Sequence, residues 1–209
     1  MLSKYGRPLL AATMGRIAHA LHRLGITPNA LTYSGFLLTA ITALFLANGM
    51  FRWGGILLLV AAFFDMLDGA VARFTEQMST FGAFLDSTLD RYSESVTFLA
   101  MAYFYSQRPS TRTELVLIIV ILVGSLMVSY TKARAEALQV ECKAGILQRP
   151  ERVVLLILGL LVGWLQPVLW LMAILTNFTA CQRIYEVYWR THQLQRSNIA
   201  GSNLVNGKE

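Results

Sequence analysis

The sequence predicts an all-α polytopic membrane protein, with six transmembrane helices preceded by an interfacial amphipathic helix. Three observations carry this prediction. Of 209 residues, 55% are hydrophobic and only 14% are charged, against about 45–50% and about 25% in an average soluble domain. Mean hydropathy is +0.50. The apolar residues gather into six runs, at about 31–50, 55–75, 85–106, 114–134, 152–166 and 168–189. Disorder, a collagenous repeat, a coiled coil and an ordinary soluble globule are excluded. Six spans of about 20 residues need roughly 120 positions, which one domain of this length supplies.

The amino-terminal stretch, 1–24, reads as a helix lying on the membrane. Leu10, Met14, Ile17, Leu21 and Leu24 line one helical face, while Arg16, His19 and Arg23 step along another. A signal peptide fits less well, because the apolar run from Leu9 to Gly15 is short and Arg16 breaks it. Pro28 and Asn29 break the chain before the first span. Helices are the open-chain way to satisfy backbone polar groups in lipid, so residues 25–190 are predicted as six spans. The fifth run stops before Pro167, which predicts a tight hairpin with the sixth. The segment 191–209 is polar, with Gly, Ser and Asn, and is expected to be a flexible tail.

The net charge is +6. Charges interrupt the apolar runs instead of forming one basic face with aromatic neighbours, which argues for anionic lipid headgroups and against nucleic acid. Of the 18 Lys and Arg residues, Arg52, Arg108 and Arg112 fall on one predicted side and the other fifteen on the opposite side. That asymmetry places both termini, and the loops after the second and fourth spans, in the cytoplasm of a multi-pass cell-membrane protein. Cys142 and Cys181 have no metal-site spacing and no disulfide framework.

Carboxylates stand where lipid should forbid them. Asp65 and Asp68 close the second run, and Asp86 and Asp90 open the third. A charge at a helix centre costs roughly 2.5–3.5 kcal/mol on insertion scales, less near an end. Asp65, Asp68 and Ala72 share one helical face, as do Gly82, Asp86 and Asp90. The short connection 74–81 lets the two helices run antiparallel, so the four carboxylates converge. Solvated loop charges or helix caps would not place four Asp in register. Converging negative charges call for a divalent cation, and an all-oxygen ligand set selects a hard ion such as Mg²⁺ or Mn²⁺. Gly69 and Gly82 leave room for a substrate near the backbone, and Arg73 can pair with a phosphate.

The segment Asp65-x2-Asp68-Gly69-x2-Ala72-Arg73-x8-Gly82-x3-Asp86-x3-Asp90 resembles the signature of the CDP-alcohol phosphatidyltransferases at all eight fixed positions in 26 residues. The likeness covers about residues 1–190, and GITPNALT at 25–32 resembles the family segment before the first span. It implies transfer of a phosphatidyl group from a CDP-lipid to an alcohol, with release of CMP. It further implies that Asp65, Asp68, Asp86 and Asp90 serve one or two divalent ions and that Asp90 is the general base. Asn29, Thr32, Asp68, Gly69, Ala72, Arg73 and Gly82 would bind the nucleotide of the CDP-lipid. For Asn29 and Thr32, a turn and a helix cap is an equally good reading. The resemblance also implies a homodimer.

The acceptor is read from the loop after the fourth span. Lys132, Arg134, Arg149 and Arg152, with Arg183 on the last span, form a basic pocket suited to a small alcohol that already bears a phosphate. Lys143 and Arg190 read as positive-inside anchors. KARAE and DRYSE are similar to the branch using inositol 1-phosphate, which includes archaetidylinositol-phosphate synthases. Glycerol 3-phosphate is the alternative acceptor. An intramembrane prenyltransferase would carry its Asp motifs far apart in sequence. A cation transporter would need polar groups near the midplane of several spans. Intact signature positions argue against a catalytically dead scaffold. Gly159-x3-Gly163 reads as a chance match to a helix-packing pattern, and Trp53, Trp164 and Trp170 as an aromatic belt.

Overall fold

In the computed structural model the described residues are 15, 17, 19–21, 23–74 and 79–206, with side chains left aside at 74 and 194–206. They form six long helices: α1 (Pro28–Ala47), α2 (Phe51–Phe74), α3 (Thr80–Ser106), α4 (Arg112–Ala137), α5 (Arg149–Val162) and α6 (Leu165–Asn206). A short 3₁₀ turn, Pro109–Thr111, precedes α4, and no strand occurs among the described residues.

Local chemistry sets the boundaries. Thr27 caps α1 by accepting from the Ala30 amide at 3.3 Å, with Pro28 in the first turn. Asn48 and Gly49 turn the chain, with Gly49 at φ +76°. Ser79 caps α3 through the Gly82 amide at 2.9 Å. Gly163, at φ +82°, ends α5 in the left-handed conformation and makes the predicted tight hairpin into α6. Gly159 packs directly on Val168, where an added Cβ would sit 3.0 Å from that side chain. That corrects the chance-match reading of Gly159: the residue lets α5 and α6 approach.

Among the described residues, three segments are long and apolar enough to cross a membrane: Pro28–Ala47, Phe51–Arg73 and Pro109–Ala137. With 14 residues, α5 spans about 21 Å at 1.5 Å per residue, less than a hydrocarbon core of about 30 Å. Charged and polar residues occupy the first half of α3. With 42 residues, α6 is roughly 63 Å long and outruns any bilayer. Residues 191–206, expected as a flexible tail, continue this helix. Extending an existing helix adds a hydrogen bond per residue without a new nucleus, and no proline interrupts the segment.

The helices pack as two sets. α1 lies on α2 and α3, and α4 lies on α6; α3 with α4, and α2 with α5, join the sets. Leu46, Phe98, Met101, Ile118, Ile121, Leu160, Leu169 and Met172 form a core with almost no exposure. It lies toward the end marked by the turns after α1, α3 and α5. Phe51, Phe104 and Tyr105 stack at that end, with Arg108 3.6 Å over the Phe104 ring. Trp53 and Trp164 stand exposed in the same region.

Of the amino-terminal face, Leu10 and Met14 lie outside the described residues. Ile17 and Leu21, both partly buried, pack with Ile26 against Leu31, Leu67 and Val71. Leu24 is exposed.

Candidate active site

α1 packs on both α2 and α3, and so sets the last turns of α2 and the first turns of α3 at the end of the bundle opposite the main core. Asp65 and Asp86 stand within electrostatic reach of each other and of both Asp68 and Asp90. Asp68 is 5% exposed and accepts from the Thr32 hydroxyl at 2.8 Å. Thr32 also bonds the Pro28 carbonyl at 3.1 Å, so α1 holds the α2 carboxylate from the side. Gly35 makes room for Asp65: a Cβ there would fall 2.9 Å from its Oδ1.

A guanidinium joins the two helices. Arg149, the first residue of α5, places Nη2 2.7 Å from Asp65 Oδ2 and 2.8 Å from Asp90 Oδ1. Its Nε is buried and makes no hydrogen bond among the described residues. Three residues on, Arg152 is 1% exposed and pairs both Nε and Nη2 with the carboxylate of Glu94, at 2.6 and 2.8 Å. Asp65, Glu94, Arg149 and Arg152 line an inner cavity of about 30 Å³, room for about two waters.

A larger cleft of about 410 Å³ opens beside the carboxylates, lined by Asn29, Thr32, Asp68, Gly69, Ala72, Arg73, Gly82 and Asp86 with Pro28, Ser79, Thr80 and Ala83. Every residue expected at the nucleotide is here. Gly82 keeps the wall open, since a Cβ would meet Ser79 Oγ at 2.9 Å and Asn29 Oδ1 at 3.1 Å. The helix cap at this turn is Thr27, which frees Asn29 to line the cleft.

No group of three His, Cys, Asp or Glu is drawn to ligating distance among the described residues. The donor set nevertheless suits a hard cation. Asp65 and Asp90, from different helices, already close on a single positive nitrogen, and Asp68 and Asp86 face the adjoining cleft. All four offer only carboxylate oxygen.

The expected acceptor residues divide. Arg149 and Arg152 reach the carboxylates or their neighbour. Lys132 is exposed and pairs with Glu136 at 3.7 Å, one turn along α4, and Arg134 is exposed as well. Arg183 is 4% exposed; it donates to the Ala144 carbonyl at 2.9 Å and to the Val128 carbonyl. It holds a loop in place, as do its neighbours on α6. Thr179 accepts from the Leu147 amide at 3.1 Å, Glu186 from the Ala144 amide at 2.7 Å. Arg190 pairs with Glu186 at 2.7 Å and Glu141 at 3.0 Å. Arg190 therefore fastens the loop, where plain anchoring was the sequence reading. Lys143 beside Glu141 holds that carboxyl below its usual range. Burial pushes the Cys142 thiol up, which keeps it protonated and unreactive.

Glu94, Gly35 and Glu186 were missed in the sequence. For Glu94 a signal existed: Gly82, Asp86, Asp90 and Glu94 recur every fourth residue on α3. Gly35 and Glu186 act across the fold and leave no local pattern.

Comparison with known proteins gives this geometry a family. The family model for CDP-alcohol phosphatidyltransferase matches residues 25–181. The archaetidylinositol phosphate synthase of Pyrococcus horikoshii is 40% identical over 189 residues, covering 89% of this chain and 96% of that protein. The phosphatidylinositol phosphate synthase of Mycobacteroides abscessus is 33% identical over 189 residues, covering 87% of this chain and 86% of its own. A crystal structure of the Mycobacterium tuberculosis phosphatidylinositol phosphate synthase with CDP-DAG bound superposes with a TM-score of 0.79. It shares 32% identity, covering 84% of this chain and 93% of that one. The same enzyme has been solved in complex with manganese and citrate, again at a TM-score of 0.79, 32% identity and 84% coverage of this chain, with 88% of that one. The chain belongs to the CDP-alcohol phosphatidyltransferase family, as an integral membrane enzyme of phospholipid synthesis.

Proposed function

We propose that this enzyme transfers the phosphatidyl-type group of a CDP-lipid to inositol 1-phosphate and releases CMP. The observation that carries the reading is the convergence of Asp65, Asp68, Asp86 and Asp90 beside a cleft walled by Asn29, Thr32, Gly69 and Gly82. The archaeal and mycobacterial relatives named above support inositol phosphate as the acceptor, and the CDP-DAG complex supports the donor.

The nucleotide end of the donor lies in the cleft, where Gly69 and Gly82 leave the backbone approachable and Arg73 meets the pyrophosphate. The acceptor hydroxyl oxygen attacks the lipid-side phosphorus. A new P–O bond forms, the bond to the CMP oxygen breaks, and CMP departs with that electron pair. Asp90 takes the hydroxyl proton as the bond forms. Asp65, Asp68 and Asp86 would hold Mg²⁺ or Mn²⁺, as one or two ions, whose charge would favour the phosphoryl oxygens and the departing CMP, with Asp90 beside them as the base. The manganese complex of the relative supports that assignment.

Arg149 leads the acceptor pocket, with Arg152 behind it. Lys132 and Arg134 are its outer members by sequence and must turn inward to join it, while Arg183 serves the pocket from behind by holding the loop that leads to Arg149. All six helices cross the membrane in this reading, with both termini and the site cytoplasmic, where CTP-derived donors are made. The working unit is a homodimer, on family resemblance alone.

The test is CMP release from CDP-diacylglycerol and CDP-archaeol by purified protein with Mg²⁺, with inositol 1-phosphate, glycerol 3-phosphate, serine and inositol offered in parallel. Release with inositol 1-phosphate alone is the expected result. Release with glycerol 3-phosphate alone would make the enzyme a phosphatidylglycerophosphate synthase and overturn the acceptor assignment.

A further inference from the structure

The mechanism above leaves one buried carboxylate unused. Glu94 stands one turn beyond Asp90 on the same face of α3, and its side chain is 9% exposed. Both of its oxygens are given to Arg152, which is 1% exposed. A third guanidinium contact, Nη1 to the Leu147 carbonyl at 3.2 Å, ties Arg152 to the residue just before α5. A two-point pair of this kind fixes the guanidinium plane as well as its position.

Stability does not account well for the pair. Ions removed from water recover their desolvation cost only with good geometry, and a hydrophobic pair of similar size often serves as well. Its location says more. Arg152 lies in the first turn of α5, three residues after Arg149. Arg152 has its donors committed inside the protein. Arg149 is 27% exposed and stands against Asp90 through Nη2 at 2.8 Å. The inner cavity between them holds only about two waters, so a sugar phosphate would meet Arg149 from its exposed side.

We propose that Glu94 is a positioning residue for the acceptor phosphate. By clamping Arg152 it fixes the first turn of α5, and with it the place and direction from which the Arg149 guanidinium meets the phosphate next to Asp90. This inference rests on the phosphorylated acceptor proposed above.

Three variants test it: Glu94→Gln, Glu94→Asp and the double substitution Glu94→Leu with Arg152→Met. The readouts are KM for inositol 1-phosphate, KM for the CDP-lipid, inhibition by inorganic phosphate and Tm. Glu94→Gln should raise the acceptor KM and the phosphate inhibition constant tenfold or more, with the donor KM within twofold of wild type. Glu94→Asp should recover part of the loss. The double variant should melt near wild type, because no charge is left buried alone, yet keep the raised acceptor KM. If Glu94→Gln does not fold, the double variant decides alone. A double variant with wild-type acceptor KM would show a purely structural pair and overturn the inference. So would equal rises in both KM values. Wild-type enzyme that used inositol as well as its phosphate would overturn the acceptor reading itself, before any variant was made.

Discussion

At the scale of single residues, the site depends on what small side chains leave open. Gly82 has Ser79 and Asn29 at the distance where its Cβ would be. Gly82→Val should therefore fill the cleft and raise the CDP-lipid KM about tenfold or more, and, because its Cβ displaces the Ser79 cap of α3, lower Tm by an amount worth about 1 kcal/mol. Steady-state kinetics at saturating acceptor check this. Thr32 makes a different contribution: its hydroxyl is the one described side-chain donor to buried Asp68. Thr32→Val keeps the volume and removes that hydroxyl donor, leaving the buried carboxylate with the Gly69 amide, at a cost of about 1–3 kcal/mol. The expected outcome is a lower Tm in divalent-free buffer that added Mn²⁺ largely restores, read by differential scanning fluorimetry. A Tm loss unmoved by Mn²⁺ would show that Asp68 takes no part in cation binding.

At the scale of elements, α6 acts on the site through a loop. Thr179, Arg183, Glu186 and Arg190 lie on one face of α6 and hold residues 141–147 at four points, while Arg183 also reaches the Val128 carbonyl of α4. That loop leads into α5 and so into Arg149. Glu186→Ala should free the Ala144 amide and speed hydrogen exchange across 141–147 several-fold, leaving α1–α3 unchanged in the same experiment. The elements themselves were legible in the sequence because apolar runs and caps are local signals. Thr27-Pro28 starts α1, and Gly163 stops α5. The carboxylate cluster was legible for the same reason: steps of three and four along two adjacent helices fix a shared face. The basic residues were not so readable. Charge and chain position could not distinguish Arg149, which meets Asp65 and Asp90, from Arg183, which binds main-chain carbonyls of the loop and α4, because the difference is made by partners 39 to 84 positions away. Helical propagation past residue 190 was likewise hidden by a polar composition that suits either a tail or a solvated helix.

At the scale of the whole molecule, the fold separates two jobs. The apolar core and the Phe51–Phe104–Tyr105 stack occupy one end, and the carboxylates, the cleft and the strapped loop occupy the other. The charge asymmetry predicts that the second end is cytoplasmic. In right-side-out cells, a cysteine introduced by Ser110→Cys should react with a membrane-impermeant maleimide, and one introduced by Ser197→Cys only after permeabilisation. The reverse pattern would put the site on the wrong side for its donor.

The account turns on Asp90 as the group that takes the acceptor proton beside a carboxylate-held cation. The direct measurement is Asp90→Asn, assayed in parallel for CMP release and for Mn²⁺-dependent binding of CMP. Turnover should fall by about 10²–10⁴-fold, while CMP binding stays within a few-fold of wild type. Loss of CMP binding along with turnover would make Asp90 a cation ligand first, and turnover near the wild-type rate would remove it from the chemistry.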